Sequence, residues 1–146
     1  MGRKDVPLDI CAVGEAAVAA RNFKYAEIDA LFSSPLIRCI QTASEFERVF
    51  NLPAQVVPGL EERAWGRFEG KPKVMRDKAV AGPGVESIEC FRRRVLMAIG
   101  RIKEQATVPL IVTHSGVIRV LLGADADEQI PHLKPIIASW PDKDWL

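Results

Sequence analysis

The sequence predicts an α/β domain in which a mostly parallel sheet is covered by helices on both faces. Short apolar runs suited to buried strands alternate along the chain with longer segments whose apolar residues recur at helical spacing. That alternation is the pattern of parallel strands joined by helical crossovers. Two of the runs share one shape, a strand followed by a tight turn and a helix start. Val108-Pro109-Leu110-Ile111-Val112-Thr113 leads into His114-Ser115-Gly116, and Ala30-Leu31-Phe32 leads into Ser33-Ser34-Pro35-Leu36-Ile37-Arg38. No linker, repeat or low-complexity tract divides the 146 residues, a length that suits one domain with a real core.

The elements follow in order. Asp9 is the expected N-cap of an alanine-rich helix from Ile10 to about Arg21, ending near Asn22. Ala30 to Phe32 reads as a short buried strand. Ser33 or Ser34 then caps a helix with Pro35 at its first position, where a missing N–H costs nothing. Ile37, Ile40, Ala43 and Phe46 or Val49 give this helix its apolar stripe. Gln55-Val56-Val57 is a second short strand between Pro53 and Pro58. Leu60 to Gly70 is a polar-aromatic loop with Trp65 and Phe68 as anchors, and Gly82-Pro83-Gly84 is a clear break.

Ser87 opens a long helix in which Ile88, Phe91, Val95, Ala98, Ile99 and Ile102 share one face. The cluster Arg92-Arg93-Arg94 within it reads as a solvated helix face. The third strand, Val108 to Thr113, precedes a helix that runs to Leu122. Asp125-Ala126-Asp127 reads as a helix-end turn, His132 as an exposed loop residue, and Ile136-Ile137-Ala138 as an edge strand in the tail.

Composition narrows the function classes. Apolar residues make up 48% and charged residues 27%, as in ordinary globular chains. The formal net charge is +1, from 20 basic and 19 acidic side chains, so no global field draws nucleic acid or an anionic membrane. Cys11, Cys39 and Cys90 are odd in number and widely spaced, which suits buried free thiols better than a disulfide framework. No apolar stretch approaches the ~20 residues of a membrane span, and no signal-peptide pattern opens the chain. The expected location is the cytoplasm.

In open α/β sheets, ligands bind outside the carboxyl ends of the strands. Helix N-termini there present free N–H groups and a positive dipole end to an anion. His114 and Arg38 occupy equivalent places in their two strand–turn–helix units, so a phosphate pocket is expected between them.

Four segments combine into a resemblance. They are Phe32-Ser33-Ser34-Pro35-Leu36-Ile37-Arg38-Cys39-Ile40-Gln41-Thr42-Ala43, Leu60-Glu61-Glu62-Arg63-Ala64-Trp65-Gly66-Arg67-Phe68-Glu69-Gly70, Pro83-Gly84-Val85-Glu86-Ser87 and Thr113-His114-Ser115-Gly116-Val117-Ile118-Arg119. In wording and order the set resembles the histidine phosphatase superfamily, the phosphoglycerate-mutase-like proteins. Asp5-Val6-Pro7-Leu8 and Gly14 also resemble that family's first-helix entry, so the likeness covers nearly the whole chain. It implies a three-layer α/β/α fold. It also implies phosphoryl transfer to a histidine, followed by hydrolysis or passage of the phosphate to another hydroxyl. By the same resemblance Arg38 binds phosphate, its planar fork suiting two phosphate oxygens. His114 matches the second histidine, which donates hydrogen bonds to the transferring phosphoryl group. Glu62 matches the acid that protonates the leaving alcohol, and the N–H groups of Ser115 and Gly116 aim fixed dipoles at the phosphate. The implied ligand is phosphate or a small phosphorylated metabolite, with no metal and no other cofactor.

The chain departs from the family at one point. There the nucleophilic histidine lies in an Arg-His-Gly motif that ends the first strand, shortly before the segment resembling Asp5 to Gly14. Here no histidine precedes His114 and no Arg-His-Gly occurs. The expectation is therefore a single, N-terminally truncated domain over residues 1–146, missing the sheet's central first strand. Such a gap would leave two flanking strands with unpaired N–H and C=O groups, at roughly 1–3 kcal/mol each, against a usual margin of ~5–15 kcal/mol. A homodimer through an open sheet edge is the expected remedy, and a concentration-independent monomer by sedimentation would count against it.

Other phosphoryl chemistries lack their motifs. No cysteine is followed by five residues and an arginine, and there is no Walker loop, dinucleotide fingerprint or metal-ligand spacing. Two readings follow. One is a phosphatase by descent, active only with a nucleophile supplied upstream or replaced; the other is a non-catalytic domain for phosphate binding or assembly. No family-type turnover is expected from the chain as it stands. The modest size favours phosphatase over mutase, and the short stretch from Lys71 to Gly82 leaves little material for a specificity cap.

Overall fold

The computed structural model describes residues 2–24, 27–72, 74–75, 82–123 and 129–140. Strand β1 (Ala30–Ser33) lies between β2 (Ala54–Val56) and β3 (Pro109–Val112), and both pairings are parallel. Leu31 stands opposite Ala54 on one side and Leu110 on the other. Among the described residues, four helices of given bounds accompany the sheet: α1 (Ile10–Asn22), α2 (Ile37–Phe50), α3 (Ile88–Lys103) and α4 (Ser115–Leu122).

Adjacent strand residues point to opposite faces, and Leu31 and Phe32 divide the core accordingly. Leu31 packs with Ala20 of α1 and Phe46 of α2. Phe32 packs with Phe91, Val95 and Ile99 of α3 and with Val117 and Val120 of α4. Two cores on two faces make the three layers. Burying Phe32 and Leu31 contributes roughly 1.5–3 kcal/mol each.

Local signals set most boundaries. Asp9 Oδ1 accepts from the Ala12 N–H at 2.8 Å, and Ser87 Oγ accepts from the Cys90 N–H at 3.1 Å, each satisfying a helix-start donor. Asn51 ends α2 in the left-handed region, with φ of 53°. The Asp29 carboxylate accepts from the Thr107 and Val108 N–H groups at 2.6 and 3.0 Å, which seats the start of β3 beside β1.

Several expectations are corrected. Neither Ser33 nor Ser34 caps α2, which begins at Ile37; Asp5 Oδ1 accepts from the Ile37 N–H at 2.7 Å instead. Ser34 is engaged elsewhere, with His114. The buried stripe of α2 is Cys39, Ala43 and Phe46, while Ile40 and Val49 are exposed. Cys11 and Cys90 are exposed free thiols, because both sit on outward helix faces; only Cys39 is buried. Ile136-Ile137-Ala138 forms no strand, having no described strand to pair with. The expected gap inside the sheet is also absent among the described residues. β1 and β3 pair directly over four residues, so the unpaired backbone lies along the outer edges of β2 and β3.

Asp125-Ala126-Asp127 lies outside the described residues, as does most of the stretch from Lys71 to Gly82. His132 is exposed, as expected. Among the described residues, no helix is long and apolar enough to cross a membrane.

Candidate functional site

Because β1 and β3 are parallel, their carboxyl ends and the turns that follow lie at one end of the sheet. The Ser34 N–H donates to the Val112 carbonyl at 2.9 Å, which holds the two turns side by side. The first turn of α2 then carries Arg38 and Cys39, and His114 stands at the N-cap position of α4 with extended backbone. His114 and Arg38 are both buried.

Their contacts fix the ring's tautomer. Arg38 Nη2 lies 3.2 Å from His114 Nδ1, and Ser34 Oγ lies 2.8 Å from Nε2. A guanidinium only donates, so Nδ1 accepts, and a neutral ring then carries its proton on Nε2 and donates it to Ser34. Burial, reinforced by the charges of Arg38 and Arg94, pushes His114 down to about 3, so the ring is neutral near pH 7. Cys39 Sγ lies 3.5 Å from Nε2 and 3.7 Å from Nδ1. Burial pushes this thiol up to about 12, in spite of the nearby Arg38 charge and a hydrogen bond from Ser34.

Arg38 donates through Nη1 to the Lys4 carbonyl at 2.9 Å and through Nη2 to the Gly2 carbonyl at 2.8 Å. Among the described residues no carboxylate pairs with it. It is a buried cation satisfied only by neutral acceptors.

Glu62 and Gly116 are also brought together. Glu62 Oε2 accepts from the Gly116 N–H at 3.0 Å, and Oε1 accepts from the Arg63 N–H at 2.8 Å. A Cβ at position 116 would collide with the Glu62 carboxylate, so glycine permits this approach. Ser115 is exposed at the start of α4. Thr113 Oγ1 donates to the Leu60 carbonyl at 2.9 Å, tying the end of β3 to the loop that carries Glu62.

The sequence reading missed Arg94. Arg92 and Arg93 are exposed, but Arg94 turns inward. Its Nε and Nη2 donate to the two oxygens of Glu86 at 2.6 and 2.8 Å. Nη1 donates to the Gly59 and Glu61 carbonyls at 2.9 and 2.8 Å, and Nη2 to the Glu62 carbonyl at 3.0 Å. Burial alone would raise the Glu86 carboxyl, but the Arg94 hydrogen bonds, an Ala64 N–H and the charges of Arg94 and Arg3 outweigh it and hold it below its usual range. The missed signal was positional. Arg94 lies three residues after Phe91 and four before Ala98, on the buried stripe, and its guanidinium sits 4.8 Å from the Phe91 ring centroid.

Trp65 acts as a loop anchor. It forms an antiparallel bridge with Val85, and the Arg63 guanidinium lies 4.5 Å from its ring centroid. Among the described residues, no group of three or more His, Cys, Asp or Glu is placed to hold a metal ion.

The family model for the histidine phosphatase superfamily (branch 1) matches residues 1–137. An agropine synthesis reductase of Rhizobium rhizogenes is 32% identical over 118 residues, covering 79% of this chain; the match spans only 27% of that relative's length. The uncharacterized phosphatase PhoE of Bacillus subtilis is 27% identical over 141 residues, which is 90% of this chain and 73% of its own. Two solved structures share the fold. Mycobacterial glucosyl-3-phosphoglycerate phosphatase Rv2419c, in complex with inorganic phosphate, gives a TM-score of 0.73 at 20% identity over 84% of this chain and 70% of its own. YhfR of Bacillus stearothermophilus gives 0.72 at 22% identity over 96% and 77%.

Proposed function

This chain belongs to the histidine phosphatase superfamily, and from that premise we propose that it is a phosphate-binding domain of phosphatase lineage that performs no phosphohistidine turnover by itself. The observation that carries the proposal is Arg38, a buried guanidinium with three neutral acceptors and no described carboxylate partner. An uncompensated buried charge costs several kcal/mol. A phosphate or phosphomonoester offsets that cost, because two of its oxygens match the arginine fork. The phosphate bound by the mycobacterial relative supports the same ligand class.

The lack of turnover follows from the state of the three nucleophile-type side chains around Arg38. Both ring nitrogens of His114 are engaged, Cys39 is held as a thiol, and Ser34 has no base because Nε2 of His114 carries the proton. Within this reading, Nε2 of His114 exchanges its bond to Ser34 for one to the phosphate, and Glu62 stands where a leaving alcohol would be protonated. The amide of Ser115 belongs to the anion-facing turn, and that of Gly116 joins it once released from Glu62. The protein acts as one domain in the cytoplasm, and a second copy pairs along the outer edge of β3. The runner-up, a working phosphatase, requires a nucleophile from outside these residues.

The test is hydrolysis of an aryl phosphate by the purified chain, beside an inorganic phosphate titration followed by NMR. No turnover is expected, and Arg38→Ala should weaken phosphate binding about tenfold or more, the worth of one charge-assisted pair. Turnover that disappears in His114→Ala would overturn the proposal.

A further inference from the structure

The place a phosphate would take against Arg38 is filled by the chain itself. Residues 2–5 run across the site, and each of the four is tied to its rim. The carbonyls of Gly2 and Lys4 take the two terminal nitrogens of Arg38. Arg3 Nε donates to the Glu62 carbonyl at 3.1 Å, and Arg3 Nη2 lies 3.5 Å from Glu86 Oε1. The Lys4 N–H donates to Glu69 Oε2 at 3.2 Å. Asp5 accepts from Ile37 at the start of α2.

The seat of this segment is specific. Gly2 is buried with φ of 62°, and a Cβ there would collide with the Glu69 carboxylate and lie 2.7 Å from Trp65 Cδ1. Only glycine fits both the backbone conformation and the space. A segment merely resting on the nearest groove would not use both Nη groups of a buried arginine. Nor would it supply the cap that α2 lacks locally. Yet the acceptors it offers are neutral carbonyls, weaker partners for a guanidinium than an anion, and its ties through Arg3, Lys4 and Asp5 are solvent-exposed. Such a segment is held well enough to close the site and weakly enough to leave it.

We propose that residues 2–5 form an internal strap that closes the site over Arg38, and that release of this strap is the step that admits a phosphate. The second half rests on the phosphate-binding reading above. The test is modification of Arg38 by phenylglyoxal, mapped by peptide mass, in the full chain and in Gly2→Ala and Asp5→Asn. Arg94, none of whose acceptors belongs to the strap although Arg3 shares the Glu62 carbonyl and Glu86 with it, is the internal reference. The rate at Arg38 relative to Arg94 should rise about fivefold in both variants, the factor carried by one lost hydrogen bond. Inorganic phosphate should then protect Arg38 at lower concentration in the variants than in the parent. An unchanged Arg38-to-Arg94 ratio in both variants overturns the strap, as does a joint rise at both arginines. A raised ratio without phosphate protection upholds the strap and removes the phosphate reading.

Discussion

Arg38 and Arg94 flank the same site, and each reaches main-chain carbonyls from a helix, but their charges are met differently. Arg94 closes both oxygens of Glu86 and three carbonyls of the loop that carries Glu62. Arg38 meets two carbonyls and a ring nitrogen, all neutral. A cation compensated by a carboxylate is a fixed node of the fold. A cation left with neutral acceptors has affinity in reserve for an anion, and stability is what that reserve costs.

The sharpest way to break this comparison is to remove each guanidinium in turn. Arg94→Ala leaves Glu86 partly buried without its two-oxygen partner, with only Arg3 at 3.5 Å as a remaining described cation, and unfolding in urea should show a loss of about 3 kcal/mol. Arg38→Met keeps the volume and removes an uncompensated charge, so stability should change by less than about 1 kcal/mol or rise. Equal losses in the two variants would show that the two arginines do the same work.

A smaller effect concerns the neutral imidazole beside Arg38. In the folded chain His114 sits at about 3, below its usual 6.5, so the unfolded chain binds the extra proton first as pH falls. Its contribution to stability is complete above about pH 6.5 and is lost toward pH 3. The loss should reach about 1 kcal/mol per pH unit between roughly pH 6 and 4. Thermal midpoints across that window should fall less steeply in His114→Gln, and parallel slopes would contradict the assignment.

The mildest change separates the Glu62 carboxylate from the Gly116 amide. Gly116→Ala should push the Glu62 carboxylate aside at a cost below about 1 kcal/mol, since the obstructing atoms are the end of a flexible side chain. Amide exchange at position 116 should quicken once that bond to Glu62 is lost. Unchanged protection there would mean that the carboxylate had not moved.

Much of this architecture was legible in the chain. Asp9 and Ser87 cap the helices they were expected to cap, and the stripe from Phe91 to Ile102 lies in the core as its spacing required. Arg38, Glu62, His114 and Gly116 were named from motif resemblance, and they gather at the carboxyl ends of β1 and β3. Where the reading failed, a distant partner had taken over a local role. α2 starts late because Asp5, 32 residues upstream of Ile37, supplies its cap. Arg94 left its solvated neighbours because the loop carbonyls it serves lie 32 to 35 residues away.

By itself the sequence determined the α/β alternation, the helix limits at Asp9 and Ser87, and the family, and its 146 residues hold no Arg-His-Gly. Those follow from periodicity, capping and wording, which act within a few residues. The tertiary structure decided that β1 and β3 pair without a gap, which nitrogen of His114 carries its proton, and that Gly2 and Lys4 fill the fork of Arg38. Each of these depends on groups brought together across the chain, as Ser34 and His114 are across 80 residues. Burial, which strengthens such contacts and moves the titrations of His114 and Cys39, exists only once the layers have closed.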